Sequence, residues 1–552
     1  MAHSPGNLAL LDWAITGIYL SYLVGVAAFT RGFAKLGVII AGVPLFVGEL
    51  TIGVLVFLLA TRTLKRRRLP FQFDGVGRML AAYLAVGGAF AIVGLARGYG
   101  VAALRDYALV YYLVFFFFTL AVVRLGVQPE AILTALAIGS VLGAMVAIGS
   151  YAITPTLVEE HAAPGYQTPA AWLGGLWCCM LLPGAKRLIW RVLLALGAVL
   201  TLVTIYLSAT RTMLPIMIVS LAILWVWTIR GKGGDRKTWM RGALSASVAV
   251  MIFLVGIVIH DLTLAPPNRP VPADGRVEFT DGLKLISRRW VRGFELLAPT
   301  VIDVAREEQT HAAVEDSIAF RLEVWAKALD KIKTSPLTGI GFGPAPGLYP
   351  EELCDTPYSP TSNCGNAHNT YITLILRMGI PVFLLFVFLN LVVLARLVRR
   401  PHKSSALLRS PMMAPYLAAG LASLLLFGLM SLFFESPYLS PLYWVILGLV
   451  HTSTIPAEGP QAEARSPEAL GQGPAQPGSE SQPAAMLLGE APQGTSVPDP
   501  VRLIAGEATL AAPPPHPRQG AKGGGDPPRP DTRRLWGIRL DRLWRTPPGC
   551  FG

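Results

Sequence analysis

The sequence predicts an all-α, polytopic membrane protein with about twelve transmembrane helices, a large loop between the ninth and tenth, and a disordered C-terminal tail. Three observations carry that expectation. Hydrophobic residues make up 53% of the 552-residue chain and charged residues only 15%, where a soluble domain carries about a quarter. The mean hydropathy is +0.51. Apolar runs of about 20 residues, each long enough to cross a hydrocarbon core of about 30 Å, recur from the N-terminus almost to residue 455.

The runs lie near residues 10–29, 37–60, 77–96, 107–123, 131–151, 170–184, 190–209, 212–229, 242–260, 371–395, 413–434 and 441–455. The first lacks a basic leader and a small-residue cleavage pattern, so it reads as a mature span and not as a signal peptide. Lys and Arg in the connecting loops set the orientation. One set of alternate loops holds Arg62 and Lys65 to Arg68, then Lys186 and Arg187. The same set continues with Arg230, Lys232, Arg236, Lys237 and Arg241, then Arg399, Arg400, Lys403 and Arg409. The opposite short loops hold little beyond Arg31, Lys35, Arg97 and Arg105. With an even number of spans, both termini are expected in the cytoplasm. The net charge of +13 follows these loops and the tail, which argues for membrane topology and against a nucleic-acid partner.

This divides the chain into residues 1–260 with nine spans, an extracytoplasmic loop over 261–369, three spans over 370–455, and a tail over 456–552. The tail is rich in Pro, Gly and Ala and buries too little apolar surface to offset its ordering entropy. The loop is more than a linker. Phe320, Val324, Trp325, Ala328, Leu329 and Ile332 recur at helical spacing and stop before Pro336, so an amphipathic helix is expected to lie on the membrane surface or cap the bundle. Cys354 and Cys364 fall in the same loop, where the oxidising side of the membrane would let them form a disulfide, the alternative being two free thiols. Cys178 and Cys179 lie in a span and read as small apolar packing residues.

There is no P-loop and no His-Glu-x-x-His or paired Cys-x-x-Cys site. The glycines of Thr338-Gly339-Ile340-Gly341-Phe342-Gly343 follow a helix, not a strand, and read as an adaptable turn and not as a dinucleotide fingerprint. What remains is a set of polar groups at the extracytoplasmic face: Arg211 at the start of the eighth span, Arg321 opening the amphipathic helix, and His368 before the tenth span. Singly, such residues snorkel to headgroups or sit in solvent. Together they suit transfer of a group from a lipid diphosphate. Breaking the bond to the diphosphate builds charge on the leaving phosphates, which arginine's planar fork of donors stabilises without a metal. The attacking hydroxyl must lose a proton, and a histidine suits that task near neutral pH.

At these residues the chain resembles the O-antigen ligase and O-antigen polymerase superfamily. The matching elements are Ser208-Ala209-Thr210-Arg211, then Arg321-Leu322-Glu323-Val324-Trp325 running into Ser335 to Gly343, then His368-Asn369-Thr370-Tyr371-Ile372 followed by Gly379-Ile380. The resemblance implies a GT-C-type membrane glycosyltransferase in the bacterial inner membrane, working at its periplasmic face. Its donor would be a glycan on undecaprenyl diphosphate and its acceptor lipid A-core or a second lipid-linked glycan, with neither metal nor other cofactor. Carried over by motif, Arg211 and Arg321 would bind the diphosphate and His368 would be catalytic, with inversion at the anomeric carbon. Arg105, Asp106, Asn369 and Tyr371 rank second, and Arg288, Arg289 and Arg292 are further cations in the loop. The leading expectation is a ligase. A polymerase or a protein glycosyltransferase shares its donor chemistry. A transporter would need ionisable groups buried within spans, for which Glu49 is the plainest mid-span carboxylate.

Overall fold

The computed structural model describes residues 5–34, 36–40, 43–71, 73–153, 167–208, 210, 212–230, 233–263, 308–345, 347–348, 367–399, 412–431, 434 and 436–454. All of them belong to one unit, Met1–Ala457 with Pro548–Gly552; the tail segment Glu458–Pro547 lies outside the described residues.

The described chain is mostly helical, and it is a multi-pass membrane protein. Helix α1 (Pro5–Ala34) leads through a two-stranded hairpin, β1 (Gly37–Ile40) and β2 (Val43–Phe46), into α2 (Val47–Arg66) and α3 (Gly75–Ala96). Three short helices follow, α4 (Val101–Asp106), α5 (Ala108–Tyr111) and α6 (Val114–Arg124), then α7 (Pro129–Ile153), α8 (Thr168–Leu181), α9 (Leu188–Leu207), α10 (Met213–Arg230) and α11 (Gly233–Thr263). The chain ends with α12 (Glu308–Thr334), α13 (Thr370–Arg399), α14 (Met413–Met430) and α15 (Ser440–Thr452). Among the described residues, eight helices are long and apolar enough to cross a membrane, and the bent pair Val101–Tyr111 and Val114–Arg124 makes a ninth.

Two of the shorter apolar helices, α8 with 14 residues and α15 with 13, cover only about 20 Å. Every residue of α15 is buried, as is all of α8 except Leu181. Protein therefore surrounds both, and packing rather than reach across lipid holds them. Close approach depends on small residues: Gly174 of α8 packs on Ser140 and Gly448 of α15 on Thr119, with no room for a Cβ at either glycine. Polar bonds tie the helices together, including Tyr19 with Thr119 (2.7 Å), the Trp172 indole donating to Ser423 (3.1 Å), and Tyr443 donating to Asn390 (2.6 Å).

Two of the expected runs are reshaped. Gly37–Ile40 and Val43–Phe46 pair as the hairpin strands, with Gly37 opposite Phe46, so the second helix starts only at Val47. Pro44 has no N–H to give a helix, and the β-branched Val38, Ile39, Ile40 and Val43 suit strands. Glu49 is consequently not a mid-span carboxylate. It stands in the first turn of α2, where it accepts from the Phe46 N–H (3.1 Å), as acidic residues do at helix starts. The run near 107–123 is broken by a 43° bend, and there Tyr111 and Tyr112 both donate their hydroxyls to Glu49.

Ion pairs gather where helices α1 and α3 begin and α2, α13 and α15 end. Arg62 meets Asp12 at 2.6 Å; Asp74 meets Arg396 at 2.9 Å and lies 3.3 Å from His451. At the other end of α13 stands the loop helix α12. It buries Val324, Ala328 and Ile332 against Ala345, Leu348, Ala367 and Leu376, a small apolar cluster separate from the bundle core. Leu329 does not join the expected stripe: it is 48% exposed, because only residues facing α13 find partners. The Phe320 side chain lies outside the described residues.

Candidate functional site

Helix α13 has 30 residues, about 45 Å of helix, more than a hydrocarbon core of about 30 Å requires. It is broken at Gly379, where φ is 82° and ψ 169°. Ile380–Arg399 alone accounts for about 30 Å. The leading segment, Thr370–Met378, is thereby released to build the site.

Its start is held by side chains read from the sequence. Asn369 caps it, its Oδ1 accepting from the N–H of Tyr371 (2.9 Å) and of Ile372 (3.1 Å). Tyr371 donates its hydroxyl to the Leu425 carbonyl (2.6 Å) and Thr370 to that of Ser431 (2.9 Å), fastening the segment to α14 and its end. His368, immediately before the cap, takes left-handed backbone angles with φ at 47°. Ala367 is buried beside it and accepts the Trp325 indole N–H of α12 (2.7 Å). Arg321 lies one turn before Trp325 on the same helix, which brings its charge to His368. The imidazole is pushed down from the ordinary 6.5 to about 4, first by burial and then by the Arg321 charge. His368 is therefore neutral at pH 7.

A second anchor lies farther along. The Ile340 N–H donates to the Leu376 carbonyl (2.8 Å), the Gly341 N–H to that of Arg377 (3.1 Å), and the Ile380 N–H to that of Pro336 (2.8 Å). The glycine-rich turn is thus pinned, not adaptable. A Cβ at Gly339, where φ is 64°, would stand 2.6 Å from the Arg377 backbone. One at Gly379 would fall onto the Leu337 carbonyl. The two glycines let two backbones touch.

Residues 196–387 match the family model described as O-antigen ligase, a stretch that contains α12, the glycine turn and His368. The match covers about a third of the chain. Over that stretch the resemblance to the O-antigen ligase and polymerase superfamily therefore stands, and the match supports a ligase- or polymerase-type membrane enzyme. No curated protein matches the chain.

Within the matched stretch the structure brings together Arg321, His368, Asn369 and Tyr371. Asn369 and Tyr371 are committed to holding the helix start, which fixes where His368 stands. Arg211, Arg288, Arg289, Arg292, Cys354 and Cys364 lie outside the described residues. Arg105 is exposed at the end of α4, next to the buried Asp106. Asp106 belongs to the second anchor: its Oδ2 accepts the Gly343 N–H (2.8 Å) and pairs with Arg377 (3.2 Å). Arg377 was not singled out in the sequence. A cation inside an apolar run was the available signal, since such a residue needs a partner. Among the described residues no three His, Cys, Asp or Glu side chains gather as a metal site.

Proposed function

We propose that this protein transfers a glycan from undecaprenyl diphosphate to a hydroxyl of lipid A-core at the periplasmic face of the inner membrane, without a metal and with inversion. The observation that supports it most is the placement of His368 at the capped start of α13, where the Trp325–Ala367 bond brings the Arg321 charge to it, inside the O-antigen ligase match.

In this reading Arg321, together with Arg211, binds the donor diphosphate. The acceptor oxygen attacks the anomeric carbon from the side opposite the diphosphate, the bond from that carbon to the diphosphate oxygen breaks, and undecaprenyl diphosphate leaves. The acceptor proton passes to an imidazole nitrogen of His368 as the new bond forms. The arginines stabilise the charge that develops on the leaving oxygens. The low basicity of His368 fits this sequence. A bound diphosphate offsets the Arg321 charge, so the donor itself raises the basicity of the imidazole when it is needed.

The test is lipopolysaccharide electrophoresis of a deletion strain, with lipid-linked glycan extracted in parallel and complementation by the wild type and by His368→Ala. A ligase predicts loss of all O-antigen bands with long lipid-linked chains accumulating, restored by the wild type and not by His368→Ala. Core bearing a single repeat would replace the ligase reading with a polymerase. An unchanged ladder would refute both.

A further inference from the structure

We propose that Arg377 and Asp106 are positioning residues, a buried clamp that fixes α12 alongside the Thr370–Met378 segment and so sets Arg321 against His368. This rests on the site reading above.

The clamp is built from three parts of the chain. Arg377, 1% exposed, sits two residues before the Gly379 break. Its guanidinium donates to the carbonyls of Gly341 (3.2 Å) and Gly343 (2.5 Å) and pairs with Asp106 on α4 at 3.2 Å. Asp106 closes the circuit by accepting the Gly343 N–H at 2.8 Å. Phe342 between these glycines is buried, its ring 6.0 Å from that of Phe90 and 6.3 Å from that of Tyr107. The turn that follows α12 is therefore tied to both α13 and α4.

Positioning follows from the order of the contacts. Trp325 is fixed to Ala367 next to His368, and the turn after α12 is fixed to Leu376 and Arg377. These two anchors tie α12 to both ends of the Thr370–Met378 segment, which sets where Arg321, one turn before Trp325, stands. Without the clamp side chains, the turn would keep its backbone hydrogen bonds to α13 and lose its tie to the Asp106 carboxylate and the hold on the Gly341 and Gly343 carbonyls. An arginine suits the clamp because its fork serves two carbonyls and a carboxylate at once, which a lysine ammonium cannot match in a fixed plane. Neither Arg377 nor Asp106 need touch the substrate.

The experiment uses the full-length protein in proteoliposomes, with lipid-linked glycan extracted from the source cells as donor and their lipid A-core as acceptor. Arg377→Lys and Asp106→Asn are compared with Arg321→Ala and His368→Ala. The clamp predicts a turnover about 100-fold lower, the scale expected when a reacting group is misplaced by about 1 Å, with KM for the donor within about twofold and a cooperative melting transition retained. Asp106→Glu, which keeps the charge, should recover most of the rate. Unchanged turnover in both clamp variants, with Arg321→Ala and His368→Ala inactive, overturns the clamp and leaves the site reading intact. Full activity of His368→Ala overturns the site reading itself. A rate loss that only tracks the amount of folded protein, equal for Asp106→Asn and Asp106→Glu, shows a merely structural pair and also overturns the proposal. Should Arg377→Lys not accumulate in membranes, Asp106→Asn decides, since it removes one charge with almost no change in volume.

Discussion

Removing the Arg321 charge should change the pH dependence of transfer in a direction and by an amount the structure sets. His368 is depressed from 6.5 to about 4, a gap of about 2.5 pH units and about 3 kcal/mol between its charged and neutral forms. Burial is the larger cause and Arg321 the second, so Arg321→Gln lifts the imidazole only part of the way back. The profile of kcat/KM reports the free enzyme. Its acid limb should fall near pH 4 in the wild type and move up, while staying below 6.5, in Arg321→Gln. The kcat profile reports the donor complex, where diphosphate offsets Arg321, so its limb should lie above that of kcat/KM in the wild type. The two limbs should draw together in Arg321→Gln. The rate should also drop by about 100- to 1000-fold through loss of a donor to the leaving phosphates. The assay is initial-rate transfer in proteoliposomes from about pH 3 to 8. A wild-type limb already at 6.5, or an Arg321→Gln limb that does not move, would refute the electrostatic coupling between the two residues.

Asn369→Ala removes the cap of the Thr370–Met378 segment and should cost about 1 kcal/mol, read as a lower melting temperature of the purified protein with reduced turnover. Asp74 is held well below the usual carboxylate range: burial would raise it, but His451, the Gly77 N–H and Arg396 together outweigh that. Its stabilisation is therefore complete above the ordinary 3.8 and is lost only as pH falls through the lower folded value. Asp74→Asn should remove about 1 kcal/mol at neutral pH, with a shallower acid dependence of thermal melting than the wild type. Gly379→Ala should abolish transfer, because a Cβ there meets the Leu337 carbonyl and the backbone angle is unfavourable for any other residue. Retained activity at normal expression would show that the break is dispensable.

The membrane class was legible because it rests on composition, and lipid leaves the backbone few alternatives to a helix. The hairpin built from Gly37–Ile40 and Val43–Phe46 was hidden because a continuous apolar run carries no period to separate strand from helix, and Pro44 with the β-branched residues around it was the local signal. The bend between Tyr111 and Val114 was hidden for the same reason, since Glu49, which receives both tyrosine hydroxyls there, is remote in sequence. Arg321 and His368 were legible as motif residues with a chemical rationale. Asp106 was read only through resemblance, and its actual partners, Arg377 and Gly343, are distant in the chain. A charge inside an apolar run announces that a partner exists but not which one.

The break at Gly379 explains why one helix serves both the membrane and the site. Ile380–Arg399 fills about 30 Å, so an unbroken 30-residue helix would carry its first nine residues straight on along the same axis. Those nine residues must instead lie where α12 can reach His368 at one end and Arg377 at the other. Pro381 allows the helix to restart directly after the break, since the first turn of a helix needs no donor from it. The Ile380 N–H, orphaned by the break, is taken up by the Pro336 carbonyl, so the kink leaves no unsatisfied donor there. Gly379 and Gly339 then allow the backbone contact that brings Arg377 to the turn carbonyls. The glycines, the proline and the buried arginine are one device, and it places a neutral histidine beside a permanent cation at the head of a membrane span.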